Sequence, residues 1–410
     1  MTGILFRNVQ VWDAHRPEPS ESEVLVEAGL IRDVSDRPIR SESARVVDGR
    51  GGILMPGLID CHVHVTLSDV NIRKLADIPL TMMTALAARN MRETLMRGFT
   101  TIRDCGGADR GLADTVERGL FEGPRIFVSG RTLTQTGGHG DFRTPTEGRD
   151  VCWPLSAMGP QSRVADGISA VRMAARDELR RGADHVKVMV SGGVASPTDP
   201  IDNVQYSLEE LRAIVEEAEA WNTYVAAHSY TSRSTARAVE CGVRTIEHGN
   251  LIDYATAELM AERGAYLVPT LVTYDIMDKY GRDLGLPDVN IEKNRVVKDA
   301  GIRAVEHCRA AGTRIGFGSD LLGDLRKHQS RSLVLQAEAQ TPHEVLSSAT
   351  SVNAEILNRT GTLGVVAPGA IADLLIVDGN PLRDLGLLEH QGRHLLAIMK
   401  DGAFAKFDLD

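Results

Sequence analysis

Residues 57–65 read GLIDCHVHV, a short apolar and β-branched run that carries His62 and His64 near its carboxyl end. Such a run predicts a β-strand. Residues two positions apart in a strand point to the same side. The stretch therefore predicts a strand that presents two imidazoles together at one end of a sheet.

Seven further apolar runs follow, at 99–107, 124–130, 184–193, 223–229, 244–249, 265–271 and 314–320. Helical patterns separate most of them, at 80–98, 162–182, 207–222, 231–242, 253–264 and 296–312. Eight β/α units predict an α/β fold of the (β/α)8 TIM barrel type. An open doubly wound sheet would need a G-x-G-x-x-G turn after an early strand, and the sequence has none there.

The two ends of the chain have a different pattern from the middle. Short alternating apolar segments, separated by Pro, Ser, Gly and Asp, fill the first fifty or so residues and return after about residue 360. Period-two alternation with such breaks is typical of strands and turns. We expect residues 1–56 and 360–410 to form one small β domain, with the barrel inserted between them as residues 57–359.

Composition restricts the partners that we expect. The 410 residues include 46 Lys and Arg and 56 Asp and Glu, which gives a net charge of −10. A general nucleic-acid binder usually has the opposite balance. The sequence has no apolar stretch long enough to span a bilayer and no signal-peptide pattern. The five cysteines are scattered and odd in number, which favours a reducing, cytoplasmic location.

Polar residues cluster where the predicted strands end, and this is the edge at which TIM barrels carry their active sites. These residues are Asp60, His62, His64, Lys187, His228, His248 and Asp320. Imidazole and carboxylate are good ligands for Zn²⁺ and similar ions. Two interpretations without metal binding stay open. His62 and His64 could be half-exposed strand residues, and Lys187 could be a snorkelling or ion-paired side chain. A neutral lysine amine can instead react with CO₂ to give an anionic carbamate.

These motifs resemble the amidohydrolase superfamily of metal-dependent hydrolases. The resemblance covers GLIDCHVHV, the strand-four lysine, AAHSY, TIEHGN, GFGSD and the terminal PGAIADLLIVDGNP. It implies a barrel flanked by a small β-sandwich made from both chain ends. It also implies two divalent metal ions, most simply Zn²⁺. His62 and His64 would bind the more buried ion, His228 and His248 the second, and N6-carboxylated Lys187 would bridge them, while Asp320 would complete the first site.

The resemblance also implies a mechanism. Two adjacent cations lower the pKa of a shared water to near neutrality, and the resulting hydroxide attacks a carbonyl carbon. Asp320 would take the proton of that water and pass it to the leaving nitrogen.

Two further motifs suggest a substrate class. His139 lies in the Gly-rich TGGHG, and Tyr230 follows His228 in AAHSY. Together they resemble the branch that contains Xaa-Pro dipeptidases, related carboxypeptidases and ochratoxin amidohydrolases, with imidazolonepropionase more distant. The resemblance implies that the loop histidine assists the scissile group and that the tyrosine holds a substrate carboxylate. The substrate would be a dipeptide or an N-acyl amino acid. Arg143 and Arg233 are further candidates for the carboxylate.

Other functions stay open at this stage. They are hydrolysis of a carbamate or phenylurea, hydrolysis of a cyclic amide, deamination, and a barrel that serves only as a scaffold.

The segments 141–161 and 270–290 are unusually long connections, and such loops are often lids. We expect a homo-oligomer, since members of the superfamily commonly self-associate.

Overall fold

Short strands form the amino-terminal part of the protein. The computed structural model describes residues 3–143, 161–196 and 199–409. Its first strands are β1 (Ile4–Arg7), β2 (Gln10–Val11), β3 (Ser20–Glu21), β4 (Glu23–Glu27), β5 (Leu30–Ser35), β6 (Arg45–Asp48) and β7 (Ile53–Pro56). Four of them form a sheet in the order β5-β4-β1-β6.

Parallel strands make up the middle of the chain. They are β8 (Leu58–Val63), β9 (Phe99–Asp104), β10 (Arg125–Val128), β11 (Thr132–Thr134), β12 (Ser162–Val164), β13 (Val186–Met189), β14 (Val225–Thr231), β15 (Thr245–Leu251), β16 (Tyr266–Val268) and β17 (Arg314–Ile315). They pair into a three-stranded sheet, β10-β9-β8, and a seven-stranded sheet, β12-β11-β13-β14-β15-β16-β17. The α/β class with parallel pairing is therefore confirmed.

Each of the eight predicted runs contains a strand, but the ladders do not form one closed barrel. The third run ends as a strand at Val128, because Gly130 turns with φ +67°, and the chain resumes as β11 beside β13. The last run is a strand for only two residues. Single backbone hydrogen bonds connect it to the first strand, from Cys61 N to Phe317 O at 2.9 Å and from Asp320 N to His62 O at 2.8 Å.

Helices follow most of these strands. They are α1 (Leu80–Met96), α2 (Arg110–Glu117), α3 (Ile168–Arg180), α4 (Leu208–Ala220), α5 (Ser232–Glu240), α6 (Tyr254–Glu262), α7 (Leu271–Tyr280), α8 (Asp288–Ala311), α9 (Arg331–Gln336), α10 (Pro342–Ser347) and α11 (Asn353–Ile356). Local sequence explains their ends: Ser207 and Glu210 form a capping box at α4, and Gly312 ends α8 with φ +79°. None of the helices in the described ranges is long and apolar enough to cross a bilayer.

The expectation that 270–290 is a long irregular loop is wrong. Helix α7 occupies ten of its 21 residues, and the start of α8 occupies the last three. Buried residues Leu271, Val272 and Ile276 have the spacing of a helix face, a signal that outweighs the turn residues farther along. The other predicted lid, 141–161, falls mainly on residues 144–160, which lie outside the described residues.

The carboxyl-terminal strands join the amino-terminal ones in a single sheet. They are β18 (Leu374–Val377), β19 (Leu395–Lys400) and β20 (Ala403–Phe407), and the sheet order is β20-β19-β18-β7-β2-β3. Strand β18 pairs antiparallel with β7, placing Ile376 opposite Leu54. Both residues share an apolar cluster with Phe6 and Val24 of the four-stranded sheet. The two chain ends therefore share a core.

Candidate metal centre

A cavity opens where the parallel strands end. Its lining includes all eight side chains that the sequence proposes for metal binding or catalysis: His62, His64, His139, Lys187, His228, Tyr230, His248 and Asp320. Residues that are separated by as many as 258 positions in sequence therefore meet at one site.

Three histidines are oriented by hydrogen bonds at Nδ1. His62 Nδ1 lies 2.7 Å from a carboxylate oxygen of Glu247, and His64 Nδ1 donates to Gly106 O at 2.7 Å. His248 Nδ1 lies 2.7 Å from Thr270 Oγ1. An imidazole held at one nitrogen in this way offers the other to a metal. For these three residues, the nitrogen left is Nε2.

His228 is held in the opposite way. Its Nε2 donates to Gly192 O at 3.1 Å, which leaves Nδ1 as the available nitrogen. Its ring centroid lies 4.6 Å from that of His248, which in turn lies 4.8 Å from that of His62. The four imidazoles therefore form one cluster, with both kinds of ring nitrogen available.

Asp320 faces this cluster. Its Oδ1 lies 3.6 Å from His62 Nε2 and 3.4 Å from His64 Nε2. Ligand atoms of His62, His248 and Asp320 all lie within 4.8 Å of one another, which is close enough to hold one ion. Burial raises the pKa of Asp320 to about 7, although the Lys187 charge lowers it in part.

The imidazoles have the protonation state that metal binding needs. Burial lowers the pKa of His62, His228 and His248 well below the usual range, and it lowers that of His64 to about 3. Nearby Lys187 lowers all four further. The rings are therefore neutral at physiological pH, and each keeps a lone pair for a cation.

Among the cavity residues, Lys187 points most directly to a bound group. It is only 1% exposed and lies in β13, facing the cavity. Its amine makes no hydrogen bond or ion pair among the described residues. The amine is therefore available to a group that binds in the cavity. Four neutral imidazoles and a carboxylate around this amine form a donor set that suits divalent cations.

His139 and Tyr230 line the same cavity beside the imidazoles. The His139 ring stacks on His228 with centroids 4.4 Å apart, and its Nδ1 lies 3.0 Å from Asp199 Oδ2. The Tyr230 hydroxyl lies 2.9 Å from that of Tyr274. Both side chains are therefore fixed at the wall of the cavity by a second residue.

Comparison with known proteins identifies the family. The family model described as "Amidohydrolase family" matches residues 53–403. The chain belongs to the amidohydrolase family. This amidohydrolase is accordingly a hydrolase that acts on carbon–nitrogen bonds.

Three relatives illustrate the range of similar amidohydrolases. The ochratoxinase of Aspergillus niger is 31% identical over 398 residues, which are 94% of this chain and 81% of that protein. A crystal structure of an amidohydrolase is 50% identical, with a TM-score of 0.95 and full coverage of both chains. A prolidase crystallised with N-methylphosphonate-L-proline is 47% identical, with a TM-score of 0.97, and the match covers 99% of this chain and 100% of that one.

Two sequence candidates do not reach the cavity of this amidohydrolase. Arg143 forms an ion pair with its neighbour Asp141, at 2.6 Å between Nη2 and Oδ2. Arg233 is an exposed residue of α5. Neither belongs to the described lining of the cavity. The expectation that they bind a substrate carboxylate rested on loop position alone, and the structure does not support it.

Sequence reasoning missed Glu247, which accepts from His62 and forms a buried 2.7 Å ion pair with Arg103. Consecutive residues of a strand normally point to opposite faces, so the sequence gives no reason to place Glu247 and His248 at the same site. His248, however, has φ +74°, which breaks the alternation. The motif TIEHG carried the only signal, a charged residue inside an apolar strand.

Proposed function

We propose that this amidohydrolase cleaves the C-terminal amide bond of dipeptides, Xaa-Pro-like, or of N-acyl amino acids such as ochratoxin-type amides. The observation that carries the proposal is the meeting of eight chemically competent side chains in one cavity. Similar proteins include a prolidase, which was crystallised with N-methylphosphonate-L-proline, and an ochratoxinase, and these support the proposed substrate class.

The proposed site contains two divalent ions, most simply Zn²⁺. Its ligands would be His62, His64, His228, His248, Asp320 and N6-carboxylated Lys187. Bound there, the ions would supply Lewis-acid activation of the substrate carbonyl and of water. Neutral imidazoles support this assignment, and so does a buried lysine that has no hydrogen-bond or ion-pair partner in the described part of the chain.

The side chains of the protein itself would handle the proton and the substrate. Asp320, which lies beside the imidazole cluster, takes a proton from the attacking water and delivers it to the leaving nitrogen. His139, which stacks on His228, interacts with the amide bond that is cleaved. Burial raises the pKa of Tyr230, so its hydroxyl keeps its proton and donates to the substrate carboxylate.

We further propose that the two parallel sheets together form a (β/α)8 barrel over residues 57–359, and that residues 1–56 and 360–410 form a β-sandwich. Hydrogen bonds between β8 and the residues that follow β17 support the first statement. The apolar cluster shared by the two terminal sheets supports the second. Self-association stays a prediction.

A substrate screen with matched controls tests the function. The protein, supplied with Zn²⁺, is incubated with dipeptides and N-acyl amino acids, and released amino acids are measured. Each substrate is paired with its carboxamide analogue, which lacks the C-terminal charge. We expect free amino acid from the carboxylates, a much slower release of the amino acid amide from the carboxamides, and about two ions per chain by metal analysis. Release of ammonia would instead indicate deamination, and an amine with CO₂ would indicate a carbamate or urea hydrolase.

A further inference from the structure

The segment that follows β13, described over residues 190–196 and again from residue 199, connects the cavity wall to His139. Val194 and Ala195 of this segment line the cavity. Asp199, a few residues later, accepts from the His139 ring and also from Gly193 N at 2.9 Å. The position of the His139 ring therefore depends on where this segment places one carboxylate.

A lysine from α8 holds that segment. Lys293 Nζ donates to Gly193 O at 3.2 Å, to Ser196 O at 2.8 Å and to Asp199 O at 2.5 Å. An ammonium group has three donors, so all of them are used on carbonyls of one segment. The Lys293 side chain thus joins Gly193, Ser196 and Asp199 to the first turns of α8.

This arrangement differs from that of a surface lysine. Lys293 is half-buried, and no carboxylate among the described residues lies within ion-pair distance of its amine. Lys298, on the same helix, instead pairs with Asp278 at 2.6 Å. Asn290 Nδ2 adds a further hydrogen bond from α8 to Val194 O. The start of α8 is therefore specialised for holding the segment.

We propose that Lys293 is a positioning residue, which fixes Asp199 and through it the orientation of His139 toward the substrate. The proposal rests on the function proposed above for His139. It adds a residue that lies outside the cavity lining, and it predicts that the effect of Lys293 on turnover passes through the Asp199 carboxylate.

A double-mutant cycle tests that route. We expect Lys293→Met to lower kcat/KM by ~10–100-fold, since small misplacements of a catalytic group have effects of this size. Asp199→Asn should give a similar loss, and the double variant should be no slower than Asp199→Asn alone. Lys298→Met is the matched control and should keep wild-type kinetics. Losses that multiply in the double variant would overturn the proposal.

Hydrogen exchange gives a readout that does not depend on activity. The Gly193 amide donates to Asp199, so we expect it to exchange faster in Lys293→Met, while amides of the central strands stay protected. Unchanged exchange at Gly193 would also overturn the proposal, whatever the kinetics. If Lys293→Met does not fold, Lys293→Gln carries the same comparisons. A wild-type protein that hydrolyses no substrate would refute the proposed function, and the exchange experiment would still decide whether Lys293 holds the segment.

Discussion

At the scale of single residues, two left-handed backbone positions shape the centre. His248 has φ +74° and Asp320 has φ +52°, and neither is a glycine. Such conformations cost on the order of 1–3 kcal/mol and persist where the surroundings impose them. His248 lies within β15 and Asp320 lies five residues after β17, and both side chains lie beside His62. The strain therefore belongs to the residues proposed to bind metal.

The first prediction at this scale concerns proton transfer. Asp320→Asn keeps an oxygen that can bind a metal but loses the ability to take a proton. We expect kcat to fall by ~10²–10⁴-fold, while the metal content per chain stays near that of the wild type. Asp324→Asn, at an exposed carboxylate nearby, is the control and should be unaffected. Near-wild-type turnover of Asp320→Asn would exclude Asp320 from the proton-transfer role.

The second concerns the buried amine. Lys187→Ala removes the group proposed to bridge the ions, so we expect lower metal content and a loss of activity that added short-chain carboxylates partly restore. Metal analysis and kinetics with and without acetate measure this. Lys327→Ala, at an exposed lysine, is the control. Full activity without any additive would show that no carbamate is needed.

The sequence could predict that the proposed metal ligands lie near one another because each falls in one of the predicted apolar runs. The partners that orient them were not predictable in this way. Glu247 reaches His62 only because the next residue breaks the strand alternation. Asp199 contacts His139 from 60 residues away, and no local sequence pattern indicates that contact. Side chains that act on other side chains across such distances leave little trace in a single sequence.

At the scale of elements, an ion pair connects α3 to the neighbouring strand β12. Asp177 of α3 lies 2.9 Å from Arg163 of β12 and 2.8 Å from Arg180 of its own helix. The hydrogen bond from Arg180, opposed by burial and assisted by Arg163, lowers the pKa of Asp177 to about 2. The ionised Asp177 carboxylate is therefore more favourable in the folded protein than in the unfolded chain, and this difference adds to the free energy of unfolding.

This lowered pKa predicts a pH-dependent stability. The contribution of Asp177 is fully present above its ordinary pKa of 3.8 and is lost as the pH falls through about 2. We expect Asp177→Asn to lower the free energy of unfolding by on the order of 1 kcal/mol at pH 7, with the difference shrinking below pH 4. Urea unfolding across this range measures it. Asp33→Asn, in β5, is an exposed control, and an equal pH trend there would contradict the assignment.

Element boundaries show where sequence patterns were sufficient. Strands and long amphipathic helices were found because their periodicity extends over many residues. The short pair β11 and β12 was missed because three-residue strands have no measurable period. Helix α7 was missed because its apolar face begins within the preceding apolar run, so that the two signals merged.

At the scale of the whole molecule, one apolar cluster crosses from the terminal sheets into the parallel strands. It contains Trp12 and Met55 from the amino-terminal part, Ile398 from β19, and Phe99 and Phe317 from the middle of the chain. All are buried. The pattern of strands at both chain ends indicated that they would pair, but no pattern indicated that their core would continue into the rest of the protein.

This shared cluster predicts that the molecule unfolds as one unit. Ile398→Ala should lower the free energy of unfolding by ~2–5 kcal/mol, since a fully buried side chain leaves a cavity. Calorimetry should show one transition that moves to lower temperature, because the terminal sheets cannot lose this packing without exposing Phe99 and Phe317. Val46→Ala, at an exposed residue of β6, is the control and should shift the transition little. A separate early transition in Ile398→Ala, with the main transition unmoved, would mean that the terminal sheets unfold independently and that the shared cluster does not couple them to the metal centre.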